Sequence, residues 1–189
     1  MKYFTLFFFL LTTTVYGQIN FETGYVVDNE NNKIQCYIKN SDWSSSPDKI
    51  YYKLNLNSET KEAKIEGIKE FYIDNTEHYY KRVNVPLDRN AYSEQNGSVR
   101  ELNFTNSTVF LKVLVEGKGS LYEYGSSNIF LYNIDDGPIK QLEYKKYINQ
   151  ELIKKENNDF QKELYDNLKC ESFTTRKLVK VDYKKKRID

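Results

Sequence analysis

The sequence has few of the residue types on which catalysis and metal binding most often depend. It contains one histidine, His78, which strand alternation places on a polar strand face, and two cysteines, Cys36 and Cys170. Hydrolytic triads and most zinc sites use histidine. The chain has no G-x-S-x-G, H-E-x-x-H or C-x-x-C pattern. We therefore expect a protein with no catalytic residue, no metal site and no cofactor.

Glycine is also scarce, with 8 in 189 residues, and this argues against a phosphate-binding loop. Gly117 and Gly119 lack the third glycine and the following helix of a dinucleotide site, so we predict a hairpin turn there. Asp135 and Asp136 are adjacent carboxylates in a turn before Gly-Pro. They should point in different directions and be solvated, which makes them poor general acid and base candidates.

Neither sign of charge is in excess. Lys and Arg total 28 against 27 for Asp and Glu, and nucleic-acid binders usually show a clear basic excess or a basic stripe. The short basic run at 184–187 is interpreted as a solvated chain end. We therefore expect no nucleic-acid partner.

The only long apolar run lies at the N-terminus. Lys2 precedes an apolar stretch at residues 3–11, and small residues lead up to Gly17. This is the layout of a secretory signal peptide, and the run is shorter than the roughly 20 residues that cross a bilayer. We predict a signal peptide at 1–17 and one exported domain at 18–189. No cysteine follows the cleavage site, so no lipid anchor is expected there. We also expect no transmembrane segment in the mature chain.

Most of the domain has the two-residue alternation of β-strands. In one example, Ile34, Cys36 and Ile38 alternate with polar neighbours. In another, Val109, Leu111, Val113 and Val115 share one face, with Phe110 and Leu114 among Lys112 and Glu116 on the other. The 17 tyrosines suit strands, and stacking platforms for sugars are the alternative role for them. We predict a hairpin at 21–40 and further strands at 50–57, 65–73, 79–87, 109–116, 121–124, 129–134 and 139–144. The short connections favour an antiparallel meander.

The pattern changes near the C-terminus. Phe160, Leu164 and Leu168 share one helical face, and Asn158 with Gln161 fits a capping box. We predict one helix at about 158–169 and a last strand near 178–181. The expected fold is mainly β (α+β): an antiparallel meander sheet, or an open barrel or sandwich, with one C-terminal helix packed on it.

Cys36 and Cys170 leave two alternatives. Export permits a disulfide between them, but connectivity is not readable from sequence. Cys36 lies on the apolar face of its strand, where a lone cysteine is a small buried hydrophobic residue.

The order of these motifs is similar to a family of exported proteins from Bacteroidetes. The most specific part is the segment 110–122. Further support comes from Gly24 at the start of the segment 24–27, from Trp43 with Pro47, and from four residues near the C-terminus: Phe160, Leu164, Leu168 and Cys170. In that family the domain stands alone or precedes a segment that looks like an outer-membrane barrel. It has no known activity, so the resemblance implies no catalytic residue. Cys36 replaces a glycine of the family pattern, and Ser46 an asparagine.

These observations favour a non-catalytic binding or accessory domain. We expect it in the periplasm, at the outer membrane or secreted, with an envelope protein or a glycan as its partner. Two alternatives stay open: a small outer-membrane β-barrel, and a hydrolase of envelope polysaccharide that uses distant carboxylates.

Overall fold

A computed structural model describes residues 20–91, 98–125, 129–168 and 181–184. The predicted fold class is confirmed: the described chain is mainly β with one C-terminal helix. The elements are β1 (Phe21–Asp28), β2 (Lys33–Lys39), β3 (Lys49–Lys53), β4 (Lys61–Lys64), a 3-10 turn (Ile65–Gly67), β5 (Ile68–Ile73), β6 (Tyr79–Leu87), β7 (Thr105–Val115), β8 (Gly119–Tyr124), β9 (Ile129–Ile134), β10 (Lys140–Gln141), β11 (Lys145–Ile148), β12 (Lys154–Asn157) and α1 (Asp159–Asn167).

Ten of these strands form one antiparallel sheet in the order β10-β9-β8-β7-β6-β5-β1-β2-β3-β4. Most neighbours in the sheet are also neighbours in sequence, as the predicted meander requires. The sheet does not close into a barrel, and β4 and β10 are its edges. Strands β11 and β12 form a separate hairpin.

One half of the sheet, made of β5, β1, β2, β3 and β4 in that order, is strongly curved. We name this half the first roll. Only the three residues of the 3-10 turn join β4 to β5, although β1, β2 and β3 lie between them in the sheet. That connection reaches at most about 14 Å, whereas four strand spacings in a flat sheet need about 19 Å. The strands therefore curl around a first core, which contains Val26, Cys36, Ile38, Ile50, Phe71, Ile73, Tyr80 and Phe110.

Arg82 holds the first roll together. Its guanidinium donates to the backbone oxygens of Ile65 and Glu66 at 3.0 and 2.9 Å, and to Asn29 Oδ1 at 2.9 Å. One side chain on β6 thus fastens both the 3-10 turn and the β1–β2 hairpin. Hydrogen bonds from a charged donor are each among the stronger side-chain contributions to stability.

The other half, from β6 to β10, rolls in the opposite direction. Gln141 on β10 accepts a hydrogen bond from the backbone N–H of Asp88, just past β6, at 2.8 Å, and donates to its carbonyl at 3.4 Å. Successive residues of β7 face opposite sides of the sheet, because Phe110 belongs to the first core whereas Val109 and Leu111 belong to a second core. The other members of the second core are Val85, Leu87, Val113, Tyr122, Ile129 and Leu131. The sheet is therefore S-shaped, and β7 serves both halves.

A third cluster lies on the same face of the sheet as the first core and is covered by α1. Phe130, Tyr132, Leu142, Tyr144 and Phe160 are buried there. The backbone N–H of Phe160 donates to Glu143 O at 2.9 Å, which ties the first turn of the helix to the chain after β10.

The start of α1 differs from the predicted capping box. Asn158 occupies the N-cap position but its side chain makes no cap hydrogen bond. Buried Asn157 caps the helix instead, because its Oδ1 accepts from the N–H of Asp159 at 2.9 Å. The side chain of Gln161 donates to Val181 O at 3.0 Å. The capping-box prediction was wrong: Asn158 makes no cap bond, and a tertiary contact uses the side chain of Gln161 elsewhere.

Two strand predictions need correction, and other strands were missed. The strand predicted at 50–57 ends at Lys53, and Leu54 and Leu56 are exposed because the chain turns at Asn55, whose N–H and carbonyl both bond Ser58 Oγ. The strand predicted at 139–144 is reduced to Lys140–Gln141. Strand β4 and the β11–β12 hairpin were not predicted at all.

Several predictions lie wholly or partly outside the described residues. These are the signal peptide at 1–17, the last residue of the helix predicted at 158–169, most of the strand at 178–181 and most of the basic run at 184–187. Within the described ranges, no helix is suited to crossing a membrane.

Candidate functional site

His78 packs against two aromatic rings and does not lie on the polar strand face predicted for it. Trp43 meets it edge-on with ring centroids 5.5 Å apart, and Tyr80 is parallel to it at 6.4 Å. The residue is 9% exposed, and its Nδ1 has no hydrogen-bond partner in the described part of the chain. Burial lowers the pKa of His78, assisted by the nearby Lys112. The imidazole is therefore held neutral.

Cys36 is buried in the first core, and burial raises the pKa of its thiol to about 11. Such a thiol is a poor nucleophile at neutral pH. Within the described residues Cys36 carries a free thiol. Cys170 lies outside those residues, so the Cys36–Cys170 disulfide stays a prediction.

Asp135 and Asp136 lie in the turn between β9 and β10, as predicted from the sequence. Both are exposed and both adopt positive φ angles, 49° and 57°. The backbone N–H of Asp135 donates to Lys118 O at 2.9 Å, so the turn packs on the β7–β8 connection. The geometry assigns these two residues to turn formation.

A large cavity lies between the sheet and α1. Its volume is about 710 Å³, within the range of roughly 300–1,000 Å³ that is usual for small-molecule sites. Its walls are mainly apolar and come from β7, β8, β9 and α1. They include Leu114, Leu121, Phe130, Tyr132, Phe160 and Leu164. We name this space the helix cavity.

Tyr183 fixes the segment 181–184 as one wall of the helix cavity. Its ring stacks on Tyr144, with centroids 4.5 Å apart, and meets Phe130 edge-on at 5.2 Å. Its hydroxyl accepts from the N–H of Phe130 at 3.0 Å and donates to Leu142 O at 3.2 Å. This wall is held by both packing and hydrogen bonds.

Gly119 on β8 lies close to the end of α1. A Cβ at this position would lie 2.7 Å from Leu168 Cδ2, just past the end of the helix. Asn167 donates to the hydroxyl of Tyr132 at 3.3 Å. The end of α1 is therefore seated on β8 and β9, while the space of the cavity remains between them.

A charged group interrupts the apolar face of the sheet beside the helix cavity. Lys112 on β7 lies directly opposite Tyr80 on β6 and Glu123 on β8. Glu123 in turn lies opposite Phe130. The Lys112 side chain is only 13% exposed, and its ammonium lies 3.2 Å from the carboxylate of Glu77. One cation with two neighbouring carboxylates thus separates the third cluster from the first core.

A smaller and more polar cavity adjoins this charged group. Its volume is about 210 Å³, and it is lined by Trp43, the serines at 44–46, Tyr80, Lys112, Glu123 and Gly125. We name residues 44–46 the serine loop. Ser46 Oγ accepts from the N–H of Gly125 at 2.9 Å and so holds this loop against the end of β8. We name this space the serine cavity. Lys112 lines both cavities.

No family model, curated protein or solved structure matches this chain. The resemblance to exported Bacteroidetes proteins therefore stays a prediction, and the two cavities are the structural features that bear on function. Within the described ranges no cluster of three or more metal-ligating side chains occurs.

The sequence did not indicate either cavity. Strand alternation placed Lys112 with Phe110 and Leu114 on one face of β7, and this placement is confirmed by their clusters and cavities. It did not show that α1 and the serine loop would come to lie on that same face. The position of Lys112 between Phe110 and Leu114 on that face was the only available signal.

Proposed function

We propose that this chain is an exported, non-catalytic cell-envelope domain that binds a ligand with an extended apolar part in the helix cavity. The observation that carries the proposal is the volume of about 710 Å³ between the sheet and α1, with mainly apolar walls. Export is supported by the signal-peptide pattern at 1–17. The absence of recognisable catalytic motifs in the sequence supports binding rather than turnover.

The walls favour burial of an aliphatic chain. Phe130, Tyr132 and Phe160 are each less than 8% exposed, and Leu114, Leu121 and Leu164 are half-buried around the space. Each buried methylene contributes about 0.8 kcal/mol. A ligand that places about eight methylenes here gains about 6 kcal/mol before the cost of immobilisation. Micromolar affinity corresponds to about 8 kcal/mol, so further apolar contacts and polar contacts to the head of the ligand must supply the remainder and offset that cost.

Binding is tested with N-phenyl-1-naphthylamine, an uncharged dye whose fluorescence rises in apolar surroundings, and protein 18–189. Leu164→Trp puts a larger side chain into the helix cavity and should weaken dye binding about tenfold or more. Leu56→Trp is the matched control, since Leu56 is 57% exposed and does not line the helix cavity. Near-ultraviolet circular dichroism and the thermal midpoint establish that both variants are folded. No dye binding, or equal loss in both variants, would contradict the proposal.

Export is tested separately by cell fractionation and N-terminal sequencing of the native protein. A mature chain that begins at Gln18 in the periplasm, the outer membrane or the medium is expected. A chain found only in the cytoplasm with Met1 intact would remove export from the proposal.

A further inference from the structure

We propose that the ligand is an amphiphile with an uncharged, polyhydroxylated head, that is, a glycolipid or related alkyl glycoside. The inference rests on the proposed function, because the apolar part of the ligand occupies the helix cavity. The head occupies the serine cavity. Lys112 lines both spaces and marks the boundary between the two parts of the ligand.

The two cavities are neighbours on one face of the sheet. Tyr80, Lys112, Glu123 and Phe130 form a cross-strand row over β6, β7, β8 and β9. Lys112 and Glu123 border the serine cavity, and Phe130 lines the helix cavity. Opposed residues in a sheet have Cβ atoms about 5 Å apart. A single molecule can therefore extend from one cavity into the other.

The charges at this boundary select against a charged head. Lys112 supplies one positive charge, and Glu77 and Glu123 supply two negative charges. An anionic head would face both carboxylates, and a cationic head would face a lysine ammonium whose side chain is only 13% exposed. At the other side of the helix cavity Asp182 and Lys184 neutralise each other at 2.9 Å. The excess of one negative charge gives a cation little attraction, because Glu77 is 67% exposed and its carboxylate is screened by solvent. A charged head of either sign therefore gains too little to offset its cost of desolvation.

The same groups suit hydroxyls. A carboxylate accepts hydrogen bonds, an ammonium donates them, and a serine hydroxyl does both. Sugar hydroxyls can pair with each of these without burying an unmatched charge. Trp43 adds aromatic surface at the serine cavity, and the negatively polarised face of such a ring attracts C–H groups like those of a pyranose.

The test compares three probes with the same ten-carbon chain, all below their critical micelle concentrations. They are n-decyl β-maltoside, decanoate and decyltrimethylammonium, each used to displace N-phenyl-1-naphthylamine from protein 18–189, with maltose alone as a chain-free control. We expect the maltoside to displace the dye at a concentration about tenfold lower than either charged probe. Maltose alone should not displace it.

Charge variants test whether Lys112 and Glu123 cause the preference for an uncharged head. Lys112→Met leaves two carboxylates and should improve binding of decyltrimethylammonium about tenfold while weakening the maltoside. Glu123→Gln should improve binding of decanoate. Lys118→Met is the matched control, because Lys118 is exposed and lines neither cavity. It should leave all three probes unchanged.

The outcomes separate the two proposals. If the dye does not bind, the proposed function fails. If the dye binds but the three probes displace it equally, or a charged probe is strongest, only the glycolipid inference is overturned. The glycolipid inference is also overturned if Lys112→Met, like the control Lys118→Met, leaves the order of the three probes as it is in the unmodified protein.

Discussion

Burial among aromatic rings makes His78 a group whose protonation opposes folding. Its pKa is lowered mainly by burial and then by Lys112, while Glu77, Asp42 and Glu22 act in the other direction. In the unfolded chain the pKa returns to about 6.5. As the pH falls through that value, the unfolded state takes up a proton that the folded state resists, so stability decreases.

We predict that the free energy of unfolding falls more between pH 7.5 and 5.5 in the unmodified protein than in His78→Gln. Urea denaturation at the two pH values measures the difference. The comparison uses the change with pH, so any constant cost of the substitution cancels. Equal changes in the two proteins would show that His78 titrates without opposition from the fold.

At the scale of single elements, β1 and β5 pack closely because of Gly24. A Cβ at this position would lie 2.1 Å from the backbone oxygen of Tyr72. Since the obstacle is backbone in a paired strand, it cannot move aside as a flexible side chain could. The strand pair itself would have to separate.

Gly24→Ala should therefore destabilise the protein by about 3 kcal/mol, at the upper end of the usual overpacking cost. Gly67→Ala is the matched control, because no atom lies within 4 Å of its added Cβ. That variant should stay within about 1 kcal/mol of the unmodified protein. Chemical denaturation measures both, and equal stability of the two variants would contradict the close approach of β1 and β5.

At the scale of the whole molecule, β7 couples the two rolled halves. Phe110 belongs to the first core and Leu111 to the second, and both are fully buried. Neither core can be exposed without disturbing this shared strand. We expect the two halves to unfold together rather than in sequence.

The single tryptophan makes this testable. Trp43 packs against the first core, with its ring 5.5 Å from that of Phe71. Its fluorescence therefore reports on the first half, whereas far-ultraviolet circular dichroism reports on both. Coincident transitions in urea are the expected result. Two separated midpoints would mean that β7 does not couple the halves.

Much of the fold was readable from alternation and turn chemistry. The β1–β2 hairpin is an example: Asp28 Oδ1 accepts from the N–H of Glu30 and of Asn32 at 2.9 and 2.8 Å, a turn that the local sequence dictates. Leu54 and Leu56 show the limit of that approach. They continue the alternation of β3, but a local turn ends the strand, so both side chains are exposed.

The sequence by itself determined most of the strands, the antiparallel pairing of consecutive strands and the apolar face of α1, because two-residue and helical periodicities and turn residues act over a few positions. The direction of each roll, the position of α1 and the meeting of Trp43, Lys112 and Glu123 at one boundary were decided only by the tertiary structure. These depend on a three-residue connection, on Arg82 and Gln141 bonding to distant backbone, and on packing between segments far apart in the chain.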